Sequence, residues 1–161
     1  MGTTPTISQS LKRSKRWRIL PAFTIDGYID WVIYQGSITA AIFNDFIRHH
    51  VIPQTTPFAY GGPKSVIICD NASIHWNTEL EDICSQAGVL LERLPPYSPD
   101  LNPIETSFSI LKAWIKRHHD IAYAFAESGE FDIFLDMAVR AQGGTEDPRN
   151  LFRKSGIEVP E

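Results

Sequence analysis

The sequence predicts one α/β domain in which a mixed sheet is flanked by helices. Two runs rich in aromatic and β-branched residues, Trp17–Thr24 and Tyr28–Tyr34, flank the turn dipeptide Asp26-Gly27, the signature of a tight hairpin. The continuous apolar run Ser65-Val66-Ile67-Ile68-Cys69 has the composition of a strand covered on both faces of a parallel sheet. Between and beyond these, apolar residues recur at helical spacing. A chain of 161 residues with 43% hydrophobic content can bury the core of one domain. That domain spans residues 1–161, with its core over 17–141 and a looser polar tail over 143–161.

After the hairpin, Ser37 and Thr39 offer helix N-caps, and Phe43, Phe46, Ile47 and Val51 repeat at helical spacing until Pro53. Residues 54–63, bracketed by prolines and containing Gly61-Gly62, form a loop. The apolar strand then ends at Asp70, the edge at which open α/β sheets place their ligands. Thr78 with Glu81 makes a capping box for a helix whose inner face is Leu80, Ile83, Cys84 and Ala87, and Gly88 stops it. Val89 to Leu94 is the next strand. Four prolines between Pro95 and Pro103 exclude regular structure and stiffen the loop. Asn102 caps the following helix, with Pro103 first and Glu105 third, and Ile104, Phe108, Leu111 and Ile115 form its buried stripe. A last helical pattern from Ile121 to Ala141 is interrupted at Ser128-Gly129. Trp17, Trp31, Trp76 and Trp114 read as packing residues.

The net charge of −4 argues against a strong general affinity for the phosphate backbone, so contact with nucleic acid has to be local. Two basic clusters offer it. Lys12, Arg13, Lys15, Arg16 and Arg18 place five cations in seven residues, a pattern that suits phosphate contact, nuclear targeting or a solvated loop. Lys112 and Lys116 share a helix face, where they serve either DNA or the helix dipole. The two cysteines and five histidines show no zinc spacing. The sequence has no membrane-spanning or signal-peptide segment, which predicts an intracellular, non-secreted protein, nuclear in a eukaryotic host.

Two acids stand out. Asp70 ends a strand, Glu105 opens a helix, and 34 residues lie between them, about one strand–helix–strand unit, so the two carboxylates can converge to hold a divalent metal for phosphoryl transfer. Taken alone, Asn102-x-x-Glu105 reads as a capping arrangement, and Asp70 as a strand-end acid capping a turn.

The run Asp70-Asn71, His75 and then Leu94-Pro95-Pro96-Tyr97-Ser98-Pro99-Asp100-Leu101-Asn102-Pro103-Ile104-Glu105 resembles the second and third acidic motifs of mariner-type DDE transposases. The stretch from Ser10 to Thr39 resembles what precedes that core in the same group. The resemblance implies an RNase H-like fold and a domain for metal-dependent DNA strand cleavage and transfer, with transposon ends and target DNA as partners. It implies Asp70 and Glu105 as catalytic metal ligands for Mg²⁺ or Mn²⁺ in a two-metal site. Asn71 and His75 are accessory positions, for which a structural role is the alternative. The family's first aspartate belongs on an earlier strand that nothing here matches. Asp26 sits in the hairpin turn and Asp30 on the strand after it, so neither replaces that acid. The chain is therefore expected to be truncated before the first strand, to have an incomplete metal site, to be inactive alone and to self-associate through unpaired sheet edges. The competing expectation is a non-enzymatic, transposon-derived remnant that binds nucleic acid or protein.

Overall fold

Asp26 and Gly27 close the hairpin that the sequence predicts. In the computed structural model, which describes residues 6–7, 16–142 and 146–160, strand β1 (Thr6–Ile7) pairs with β2 (Trp17–Thr24), and β2 pairs antiparallel with β3 (Gly27–Gln35). Gly27 has φ +100°, a conformation that glycine adopts at little cost. A bulge between Ala22 and Phe23 shifts the register near the turn.

Side chains alternate across β2, so the strand feeds two cores. Leu20 and Ala22 pack with Phe43, Phe46, Ile47, Val51, Leu80 and Ile83 on one side; Ile19 packs with Leu111, Phe131, Phe134 and Leu135 on the other. The hairpin is thus the middle of three layers.

The first layer contains α1 (Ala40–Phe46), capped by Thr39, whose hydroxyl accepts from the Ile42 N–H. Its helical path continues as a π-helical turn, Ile47–Val51, and a 3-10 turn, Ile52–Gln54. Helix α2 (Thr78–Ala87) joins this layer and corrects the expected cap. Asn77, not Thr78, is the N-cap: its Oδ1 accepts from the Leu80 N–H at 2.8 Å. Asn77 wins because its amide also donates to the Ile74 carbonyl and lies against the buried Asn44, fixing it just outside the first turn.

Strands β4 (Val66–Cys69) and β5 (Leu90–Arg93) pair in parallel. The expectation that β4 is covered on both faces holds for one face only. Ile67 and Cys69 are buried, whereas Val66 is 39% exposed and with Ile68 faces a pocket of about 80 Å³ lined also by Phe23, Pro103, Ile104 and Phe152. Among the described residues the two sheets share no ladder: one has the order β1-β2-β3, the other β4-β5. β1 meets β2 only at Trp17 and Arg18.

The second helical layer comprises α3 (Pro103–Arg117), α4 (His119–Glu127) and α5 (Phe131–Gln142). The predicted break falls where expected, with Gly129 at φ +78°. The segment read as a polar tail instead carries α6 (Pro148–Lys154), capped by Asp147, with Leu151 buried and Phe152 stacked on Phe23 at 5.6 Å. Of the four tryptophans, Trp76 departs from the packing expectation at 57% exposure, because it lies beneath the Arg93 guanidinium on the surface. No helix among the described residues is long and apolar enough to cross a membrane.

Candidate active site

Asp70 leaves the C-terminal end of β4 at the point where the chain stops pairing with β5. Its Oδ1 accepts from the Ala72 N–H at 3.2 Å, and the His75 Nδ1 stands 2.9 Å from the same oxygen and 3.0 Å from the Asp70 carbonyl. His75 is 3% exposed and packs against Phe43 with ring centroids 4.3 Å apart. Burial opposes charge on this imidazole, but the Asp70 carboxylate, the Cys69 sulfur and the Asp70 carbonyl outweigh it and hold the pKa up at about 9. The structural alternative for His75 is therefore the one the geometry supports: it is an internal strut behind Asp70 rather than a surface group.

The turn that follows is fastened from outside. Arg93 Nε donates to the His75 carbonyl at 2.8 Å, its guanidinium covers the Trp76 ring at 4.0 Å, and the Trp76 indole N–H donates to Asn71 Oδ1 at 2.7 Å. Asn71 is thereby engaged by Trp76 while remaining at the surface.

Glu105 arrives from the other side. The proline-rich loop turns through a 3-10 segment, Pro99–Leu101, into Asn102, whose Oδ1 accepts from the Ile104 N–H at 3.4 Å and so starts α3. In a capping box the third helical side chain would take the Asn102 N–H, but that N–H donates to the Pro99 carbonyl at 3.1 Å. Asp70, Asn71, Leu94 to Pro99, Asn102 and Glu105 all border one open cleft of about 470 Å³. The fold thus brings the two predicted carboxylates to one place across 34 intervening residues.

The other candidates are dispersed. Lys112 and Lys116 are exposed further along α3, Arg16 is exposed and Arg18 half-buried at the start of β2. Lys12, Arg13 and Lys15 lie outside the described residues. Asp30 is bound to His50 at 2.8 Å and Asp26 takes part in the hairpin turn; neither borders the cleft. Among the described residues no three His, Cys, Asp or Glu side chains gather closely enough to hold a metal ion. Sequence reasoning missed Arg93, whose side chain ties β5 to the Asp70 turn. An arginine ending a short strand next to the Asp70 strand was the available signal.

The α/β fold is of the RNase H-like type that transposase and integrase catalytic domains also have. The fold matches the catalytic domain of Mos1 mariner transposase with a TM-score of 0.56 at 15% identity, covering 96% of this chain and 73% of that one. The same catalytic domain with Raltegravir and Mn matches at 0.52 and 15%, covering 95% and 74%. The simian T-cell lymphotropic virus intasome in complex with PP2A regulatory subunit B56 gamma matches at 0.56 and 18%, covering 84% and 45%. No curated protein sequence matches. The sequence profile of the DDE superfamily endonucleases matches residues 1–124, and the chain belongs to that family.

Proposed function

We propose that the cleft serves metal-dependent cleavage and transfer of DNA strands, with Asp70 and Glu105 as two of its metal-holding carboxylates. The observation that carries this reading is that both acids border one cleft. Two carboxylates on an open cleft are the hard oxygen donors that Mg²⁺ and Mn²⁺ take, and the space beside them admits water and a phosphodiester. Asp70 and Glu105 would hold a divalent ion whose Lewis acidity would serve a phosphodiester and the oxygen that attacks it. The chain's own contribution is orientation: His75 and the Ala72 N–H hold the Asp70 carboxylate, and the Asn102 cap holds the first turn of α3 that bears Glu105. DNA contact falls to the two basic clusters, with transposon ends and target DNA as the partners. The reading further assigns a third acid to a strand along the edge of β2 that β1 covers only at Trp17 and Arg18, so that without that acid the site binds metal weakly and does not cleave, and the uncovered length of that edge is where the chain associates.

The test has two arms. Mn²⁺ should raise the melting temperature of the chain and fail to do so in Asp70→Asn and Glu105→Gln, while plasmid DNA with Mn²⁺ stays intact. An equal Mn²⁺ response in the variants overturns the carboxylate assignment. Nicking that Glu105→Gln abolishes shows a complete site. The second reading, a binding module without chemistry, is favoured by the lack of a third acid in any cluster among the described residues. It predicts DNA binding indifferent to both Mn²⁺ and Glu105→Gln.

A further inference from the structure

Tyr97 is the most exposed large hydrophobic residue of the described chain, at 101%, and it stands at the rim of the cleft that Asp70 and Glu105 share. Its backbone has φ +58°, the left-handed region in which a residue with a Cβ is strained. Pro95, Pro96 and Pro99 surround it, removing the freedom by which the loop would relax. A fully solvated ring held in a costly, stiffened turn beside a functional cleft is the kind of strain that marks a ligand contact. At full exposure the ring gains nothing from the protein's own packing, so its packing value is realised only with something from outside.

An exposed aromatic face at the rim of a cleft read as a DNA site matches a nucleobase. The surrounding acids repel polyanions, so a contact that does not depend on charge is what the cleft wall can add.

We propose that Tyr97 stacks on an unpaired nucleobase beside the phosphate to be cut, holding the DNA strand locally open at the cleft. This rests on the reading of the cleft as a DNA site. It makes Tyr97 a selector for frayed or single-stranded DNA over a closed duplex.

The test uses the whole chain, Ca²⁺ in the buffer, and two fluorescein-labelled oligonucleotides of one sequence, one a closed hairpin duplex and one with a run of mismatches at its centre. Wild type should prefer the mismatched probe, and Tyr97→Ala should bind that probe about tenfold more weakly while leaving closed-duplex binding unchanged. Tyr97→Phe should keep the preference, as should Tyr60→Ala, which removes an 85% exposed ring that does not border the cleft. Equal binding of the mismatched probe by wild type and Tyr97→Ala overturns the stacking proposal alone, leaving the DNA-site reading intact. Absence of binding to either probe by wild type overturns both.

Discussion

The imidazole of His75 grips Asp70 twice, 2.9 Å from its carboxylate Oδ1 and 3.0 Å from its carbonyl. One buried side chain therefore sets both the rotamer of the candidate metal ligand and the direction in which the chain leaves β4. The candidate carboxylate and the hydrophobic core are thus mechanically joined, since the same ring rests on Phe43.

This pairing makes stability fall with alkaline pH. The His75 pKa is about 9 in the folded chain against an ordinary 6.5, so the native state holds a proton that the unfolded state releases. The contribution is fully present below pH 6.5 and is lost as pH rises through 9, and its size is roughly 1–3 kcal/mol. Burial pushes the Cys84 thiol up to about 11 from 9, which extends the decline to higher pH. Thermal melts in EDTA should show the midpoint dropping between pH 6.5 and 9 in wild type and much less in His75→Gln. Parallel declines in the two proteins would refute the His75–Asp70 linkage.

The cap of α2 gives a contrast between neighbours. Asn77 satisfies the Leu80 N–H and binds Ile74 and Asn44, whereas Thr78 is exposed. Asn77→Ala should cost about 2 kcal/mol, the loss of a cap plus a damaged buried amide pair, and Thr78→Ala within about 0.5 kcal/mol. Urea denaturation of the two variants checks the order.

Much of this fold was legible because local chemistry and tertiary context agree. The Asp26-Gly27 hairpin, the Asn102-Pro103 helix start and the Ser128-Gly129 break each rest on a backbone requirement that one or two residues meet. The errors arise where a competing neighbour or a distant residue decides. Thr78 lost its cap to Asn77 because Asn44, far along the sequence, holds the asparagine in place. The burial of β4 was overestimated because an apolar run records what a strand can tolerate, not which neighbour covers it. At the candidate site, residue types and spacing singled out Asp70 and Glu105. The placement of Arg93 against the Asp70 turn and of Tyr97 at the cleft rim depends on tertiary and loop geometry that carries no periodic signal.

DNA binding should depend on salt through exposed cations only. Arg16, Lys112 and Lys116 are exposed, whereas Arg18 is half-buried, so changing the first three to Gln should flatten the plot of log affinity against log salt, by about one unit of slope for each phosphate that is no longer neutralised. Arg18→Gln should leave that slope nearly unchanged and act on stability instead. Titrations of one duplex at two or more salt concentrations separate these effects, and equal slopes for the triple variant and wild type would remove Arg16, Lys112 and Lys116 from the interface.

The last prediction concerns α6, which packs where Phe23 of one sheet and Val66 and Ile68 of the other line one pocket. Leu151 is 1% exposed, and Phe152 stacks on Phe23 at 5.6 Å with an interplanar angle of 19°, so the helix plugs the pocket beside Val66, Ile68 and Ile104. The Asp147 cap and Pro148 start the helix in a segment whose composition is otherwise polar, which is why only two apolar side chains anchor it. Truncating a fully buried leucine removes its transfer energy and leaves a cavity, at about 2–5 kcal/mol. For a chain of this size each kcal/mol moves the midpoint by about 2–4 °C. Leu151→Ala should therefore melt roughly 5–15 °C below wild type, while Lys154→Ala, an exposed residue of the same helix, should move it little. If Leu151→Ala melts with wild type, α6 is not part of the cooperative unit and the polar-tail expectation for these residues stands.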